Sequence, residues 1–269
     1  MAAPAGKVTT AVLRAQKAQR RRITALTAYD HLLASLLDEA GVDVVLVGDS
    51  LATVVQGHDT TVPVTLDQMV YHTGLVARAC RRALVVGDLP FLSYQVSVED
   101  ALRSAGRLLK EGFAEAVKLE GGVEFAPTVQ RLVAAGIPVM GHLGLTPQSI
   151  HQFGSYRARG QDAAEQQRIV AGARALEQAG AFALVIEKVP ADLGRRVAEA
   201  VAIPVIGIGA GPHVDGQILV THDLLGLFTR FRPRFVRRYR ELGKEIGDAV
   251  REFCRDVHGG AFPGPEESY

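Results

Sequence analysis

Short apolar runs recur along the chain, with helix-like stretches between them. Strands are expected near 23–28 (ITALTA), 43–48 (DVVLVG), 84–88 (LVVGD), 116–120 (AVKLE), 138–142 (PVMGH), 182–187 (FALVIE) and 204–209 (PVIGIG), with an eighth near 217–221 (QILVT). These runs are apolar throughout rather than alternating, as parallel strands covered on both faces require. The stretches between them carry helix signals. Thr65–Gln68 (TLDQ) and Ser97–Asp100 (SVED) have capping-box spacing. Gly41, Gly136 and Gly180 stand where a helix would end in a left-handed cap. Strands alternating with helices in this number predict a (β/α)8 TIM barrel. The gap between the seventh and eighth runs is too short for a full helix, which keeps a doubly wound open sheet as the second choice.

The length of 269 residues suits one barrel domain over 1–269, with an N-terminal helical extension at 1–22 and an extended tail at 255–269. Two long connections, 49–66 and 143–161, are expected to carry function. The formal net charge of +1 offers no global field for nucleic acid or an anionic membrane, and no run is long enough to cross a bilayer. Before Asp30 the chain has basic residues and no acidic ones. That is also how organelle transit peptides look, but the run leads straight into the first strand, so a short surface helix is the preferred reading. Cys80 and Cys254 have no metal-ligand spacing and read as reduced structural thiols of a cytoplasmic protein. The stretch 230–240 (RFRPRFVRRYR) mixes arginines with aromatics, but acids follow at once. An exposed helix with ion pairs, or a subunit contact, is preferred there to a nucleic-acid site.

The chemistry gathers where strands end. In a parallel barrel all strand C-termini open on one face, where active sites form. Asp49 and Asp88 follow the second and third strands, Glu120 the fourth, His142 the fifth and Glu187 the sixth. Lys118 lies two residues before Glu120 and therefore shares its side of the strand. Carboxylates around one mouth repel unless something positive lies between them, and an oxygen-rich set without a cysteine cluster favours Mg²⁺. Lys118 can pair with a substrate carboxylate or with Glu120; a Schiff-base role is less compatible with a metal site. Glu187, across the mouth with apolar strand neighbours, suits a general base. His142 can be a core histidine, a ligand or, preferably, a group behind the ligands that orients them. The glycine-rich stretch 205–216 (VIGIGAGPHVDG) is by itself a weak phosphate signal and otherwise reads as close backbone packing.

The ordered set of "ITALTAYD" (23–30), "AGVDVVLVGDSLATVVQGHDTTVPVTLDQM" (40–69), "VVGDLPFLSYQ" (85–95), "AVKLEGG" (116–122), "IPVMGHLGLTPQS" (137–149), "EQAGAFALVIEKVP" (177–190) and "IPVIGIGAGPHVDGQILVTHDLLGLF" (203–228) resembles the ketopantoate hydroxymethyltransferase family over nearly the whole chain. The resemblance implies a barrel of the phosphoenolpyruvate mutase/isocitrate lyase type, which departs from regular alternation near its end. It implies Mg²⁺ held directly by Asp49 and Asp88, with Glu120 as the third acid at the metal. It places the 2-oxo acid on the metal, Asp49, Ser50, Asp88 and Lys118, and makes Glu187 the proton acceptor. The implied reaction carries a hydroxymethyl group from 5,10-methylenetetrahydrofolate to 3-methyl-2-oxobutanoate through a Mg²⁺-stabilised enolate, giving ketopantoate and tetrahydrofolate on the way to pantothenate and coenzyme A. Partners would then be these small molecules and further copies of the chain, commonly ten. Lys188, after the proposed base, and residues 150–161 depart from the family pattern. The alternatives are a Mg²⁺-dependent 2-oxo-acid lyase or mutase of the same barrel type, and a non-catalytic barrel that binds an anionic ligand at 205–216.

Overall fold

A computed structural model describes residues 6–229 and 231–269; residues 1–5 of the expected N-terminal extension, and Arg230, lie outside the described residues. Strands β1 (Ile23–Thr27), β2 (Val44–Val47), β3 (Leu84–Asp88), β4 (Ala116–Glu120), β5 (Val139–Gly144), β6 (Ala183–Glu187), β7 (Val205–Ile208) and β8 (Gly216–Leu219) close into a barrel in chain order. Every pairing is parallel, including the closing pair of β8 with β1. The open sheet is therefore excluded.

The uninterrupted apolar runs resolve into two cores. Val44, Leu46, Leu84, Val86, Ala116, Met140, Val185 and Ile206 pack together inside the barrel. Their neighbours Val45, Val47, Val85, Val117, Val139 and Val205 join the layer between strands and helices. Period-two alternation thus persists, but both faces are dry. The inward set continues, two residues at a time, from Val86 to Asp88, from Ala116 to Lys118 and Glu120, from Met140 to His142 and from Val185 to Glu187. The same parity that fills the barrel with aliphatic groups therefore carries polar ones to its C-terminal mouth.

Helix starts follow the chemistry read from the sequence. Thr65 and Gln68 form a reciprocal capping box on the helix Leu66–Ala79, and Ser97 accepts from the Asp100 N–H at the start of Val98–Lys110. Only residues 209–215 join β7 to β8, without a helix. A four-residue strand rises about 13 Å, a distance that a short extended segment can retrace at about 3.3 Å per residue. This segment lies tight against the helix Ala191–Ala200. Gly211 takes φ +82°, and a Cβ there would run into Ala191. The glycine-rich run is thus used for close packing.

The N-terminal face of the barrel is built by the basic leader. Leu13 of the helix Thr10–Ala18 is fully buried, and Val8 and Leu13 join the barrel's inner core. The Lys17 ammonium donates to the carbonyls of Ala198, Val201 and Ile203 and pairs with Asp215 at 2.9 Å. Lysine is well suited to the exposed carbonyls at a helix C-terminus. Arg22 donates to the Val214 carbonyl.

The chain divides into two compact units, the barrel up to Val220 and Thr221–Tyr269. In the second, the helix Leu242–His258 runs past the point where an extended tail was expected, up to Gly259-Gly260. The described part of 230–240 is not the helix expected from its ion-pair pattern. Pro233 interrupts it, Arg232 turns to the Val236 carbonyl, and Arg238 pairs with Glu241. No helix among the described residues is long and apolar enough to cross a membrane.

Asp43, just before β2, accepts from the Thr24 N–H and hydroxyl at 3.0 Å and pairs with Arg82 at 2.8 Å. Burial opposes its charge, but these donors outweigh burial and hold its pKa below the ordinary value. The folded pKa lies below the unfolded one, so the contribution is full above the unfolded value near 4 and fades as pH falls through the folded value. Asp43→Asn should cost about 2 kcal/mol at pH 7, lowering Tm by roughly 4–8 °C. In thermal melts against pH, the gap to the parent should narrow below about pH 4; a gap constant down to pH 2 would contradict this role.

Candidate active site

Five of the side chains singled out in the sequence meet at the C-terminal mouth of the barrel. Asp49, Asp88, Lys118, Glu120 and His142 each expose 5% or less of their surface. Strand register brings them together: Asp88 is paired across the sheet with Lys118, and Glu120 with His142. Asp49 lies beyond the end of β2, and its N–H donates to Asp88 Oδ2 at 3.2 Å. The Lys118 ammonium lies 2.8 Å from Asp88 Oδ1 and 3.2 Å from His142 Nδ1.

Three buried carboxylates share this one buried ammonium, and the electrostatics record the shortage. Burial first, then the charges of Asp88 and Glu120, raise the Asp49 pKa well above the usual carboxylate range. Burial raises that of Asp88, against the pull of Lys118. Burial works against the Lys118 charge, but Asp88, Glu120 and Asp49 outweigh it and push its pKa up. Lys118 is thus held as an ammonium, which removes the free amine that a Schiff base needs.

Glu187 is the less enclosed member, its side chain 16% exposed, and its Oε2 lies 3.3 Å from His142 Nε2. His142 Nδ1 lies 3.4 Å from Glu120 Oε1, so the imidazole stands between two carboxyl groups. Burial and the Lys118 ammonium oppose a charged ring, yet Glu120 and Glu187 push the His142 pKa up to about 9. The Lys118 ammonium can donate to Nδ1 only while Nδ1 carries no proton; the raised pKa favours instead the charged ring, with an N–H on each nitrogen, one toward Glu120 and one toward Glu187. Arg195 pairs with Asp192 and Glu199, and the Lys188 ammonium donates to the Tyr156 carbonyl at 2.7 Å. Gly144, at the end of β5, takes φ +89°, and a Cβ there would strike the Glu187 carbonyl. Its missing side chain lets β5 and β6 approach at the base of Glu187. Ser50 Oγ is 2.7 Å from the Tyr29 hydroxyl.

Two residues of the site had not been picked out from the sequence. Gln148, in the short turn Pro147–Ser149, donates from Nε2 to Asp49 Oδ2 and to the Leu89 carbonyl. Its N–H donates to Glu120 Oε2 at 3.0 Å, and its Oε1 accepts from the Tyr94 hydroxyl and from Gln95. One residue, through its side-chain amide and its backbone N–H, thereby ties the ends of β2, β3 and β4 together. Tyr94 also places its hydroxyl 3.1 Å from the Glu120 N–H. Both lie in loops, where no strand parity assigns a direction; Gln148 falls in the long 143–161 connection and Tyr94 in the stretch 85–95 that carries part of the family resemblance.

The residues fit a hard divalent cation. Glu120 Oε1 is buried and accepts no hydrogen bond, and the charges of Asp88 and Glu120 bear on Asp49, with Lys118 the cation beside them. Among the described residues no three His, Cys, Asp or Glu side chains form a metal cage by themselves. Mg²⁺ characteristically uses one or two carboxylates and completes its octahedron with water and substrate oxygens.

Comparison with known proteins is consistent over the whole chain. The family model described as ketopantoate hydroxymethyltransferase matches residues 7–265. The 3-methyl-2-oxobutanoate hydroxymethyltransferase of Moorella thermoacetica is 57% identical over 263 residues, covering 98% of this chain and 98% of its own. That of Prosthecochloris aestuarii is 54% identical over 266 residues, covering 97% and 96%. Among solved structures, phosphonopyruvate hydrolase in complex with oxalate and Mg²⁺ superposes with a TM-score of 0.63 at 16% identity, over 96% of this chain and 92% of that one. For 2,3-dimethylmalate lyase, a PEP mutase/isocitrate lyase superfamily member, the values are 0.62 and 18%, over 99% and 89%. The solved structures share the barrel type, whereas the identity above one half over nearly full length is decisive: the chain belongs to the ketopantoate hydroxymethyltransferase family.

Proposed function

We propose that the protein transfers a hydroxymethyl group from 5,10-methylenetetrahydrofolate to 3-methyl-2-oxobutanoate, giving ketopantoate and tetrahydrofolate, a step of pantothenate biosynthesis. The observation that carries this reading is the enclosed group of Asp49, Asp88, Glu120 and Lys118, with Glu187 set beside it on the far strand. Its relatives at 54–57% identity bear the name of that activity.

Asp49 and Asp88 would hold Mg²⁺ directly, with Glu120 as the third acid. When bound, Mg²⁺ supplies a Lewis acid for the keto oxygen of the substrate. Lys118, fixed as an ammonium, offers a charge-assisted hydrogen bond to the substrate carboxylate. Ser50 and the Asp49–Asp88 backbone contact set the edge on which the 2-oxo acid rests. Glu187 takes the proton from C3. His142, between Glu187 and Glu120, holds the Glu187 carboxylate toward the substrate. Water replaces the two C–N bonds of the methylene carbon, its hydrogens passing to N5 and N10 and its oxygen staying on carbon; the C3 electron pair adds to that carbonyl carbon, and the new alkoxide takes the proton held by Glu187. The barrel interior below is filled by Met140, Val86 and Ala116, which keeps bulk water away from the reacting carbon.

We also infer that the chain works as a cytoplasmic homo-oligomer; ten subunits follow from the family resemblance. Ile246, Val250, Phe253 and Val257 form an exposed apolar stripe along the helix Leu242–His258, a face that a further copy would cover. Both cysteines are free thiols, in keeping with a reducing compartment.

Glu187→Gln should slow exchange of the C3 hydrogen of 3-methyl-2-oxobutanoate in D₂O by about 10²–10⁴-fold, while the Kd of the oxo acid stays within about threefold. Exchange at the parent rate would remove Glu187 from the role of base. Asp88→Asn leaves Lys118 without its 2.8 Å partner and should weaken Mg²⁺ binding, read by titration calorimetry, by more than the roughly 10–100-fold typical of an outer partner. Unchanged Mg²⁺ affinity would refute the ligand role. Gln148→Leu should lower kcat/KM roughly 10–100-fold, with Mg²⁺ affinity reduced in parallel because Asp49 loses the amide that holds it to the end of β3, while the backbone bond to Glu120 is kept.

A further inference from the structure

A cleft of about 710 Å³ starts at Glu120 and Gln148 and runs between the loops after β4 and β5 and the helix Ala163–Gln178. That volume suits a ligand of drug-like size. Its inner end thus belongs to the candidate active site, but the rest of it has no part in holding a small 2-oxo acid. The lining is aromatic and open. Phe91 and Val123 are 38% and 55% exposed, apolar surface that water covers at a cost. Phe125 is pressed so closely on Gly121 that a Cβ there would enter its ring, and it meets Tyr94 edge-on at 5.2 Å. Phe153 carries the Arg159 guanidinium 4.1 Å over one face.

Two arginines line this cleft, and they differ. Arg159 is ion-paired with Glu165. Arg168 is exposed on the cleft wall, and among the described residues no carboxylate pairs with it. An aromatic slot with one uncommitted guanidinium is matched by a flat ring bearing a carboxylate.

We propose that this cleft takes the p-aminobenzoylglutamate arm of the reduced folate, with its ring against Phe125 and Phe153 and a glutamate carboxylate on Arg168. The inference rests on the folate-dependent reading above. The transferred carbon bridges N5 of the pterin and N10 of the arm. The arm therefore begins at the reacting carbon and must lead away from it, and the cleft begins at Glu120 and Gln148 and leads away from them.

The test compares the parent and Arg168→Ala with two donors, 5,10-methylenetetrahydrofolate and the corresponding pteroate that lacks the glutamate. Arg168 is exposed, so the variant should fold. Deleting the glutamate should raise the parent's KM for the donor about tenfold or more. Arg168→Ala should raise KM for the folate by a similar factor, lose little more when the glutamate is also removed, and keep its KM for the oxo acid within about twofold. Arg168→Lys should recover part of the loss. If the parent forms ketopantoate from the folate but Arg168→Ala has the parent's KM, or still discriminates between the donors by the parent's factor, the cleft assignment is overturned and the reaction stands. A parent that condenses neither donor overturns the reaction and the cleft assignment together.

Discussion

The ion pair between Lys118 and Asp88, 2.8 Å apart with both side chains nearly free of solvent, is the contact on which the mouth of the barrel depends. An isolated ammonium in that position would lose its charge to desolvation, and isolated carboxylates would take up protons. Each charge is favoured by the presence of the other. Lys118 in turn fixes the side of the His142 ring that faces it, and through His142 the approach to Glu187. Barrel closure makes this possible, because only a register shared by successive strands brings inward positions of β3, β4, β5 and β6 to one level.

The two ends of β2 show how context divides one side-chain type into two tasks. Asp43 stands before the strand, surrounded by donors from Thr24, Arg82 and Gln16, and its pKa is depressed despite burial. Asp49 stands beyond it, surrounded by other carboxyl groups, and its pKa is raised. The first is satisfied by the protein alone and contributes to stability. The second is left short of positive charge, which is the condition under which a cation or a charged substrate binds strongly. In a parallel barrel this division follows strand direction, with stability at the N-terminal face and chemistry at the C-terminal face.

Strand positions were legible because runs such as Val44–Val47 and Ala183–Glu187 are apolar on both faces and end abruptly. Asp88, Lys118, Glu120, His142 and Glu187 were legible for the same reason: once the strands are placed, parity sets their direction. Gln148 and Tyr94 were not, since each acts from a loop whose path depends on tertiary contacts, and neither carries a charge that would draw notice. The stretch 231–240 misled because its charge pattern suits a helix, while Pro233 removes a backbone donor and favours a turn. The tail misled in the opposite direction, with helix continuing to His258 because no breaker precedes Gly259-Gly260.

Segment 209–215 returns from β7 to β8 without a helix to take up slack. It is held at both of its ends, by the backbone and side chain of Asp215 on Val205 and by the press of Gly211 on Ala191. Its length therefore acts as a ruler for the last strand. One residue more or fewer would slide β8 against β7 and β1 together, and the cylinder could close only by turning aliphatic groups outward and polar ones inward. A change of length at this seam has to be absorbed by strand register, which sets it apart from the longer excursions after β2 and β5.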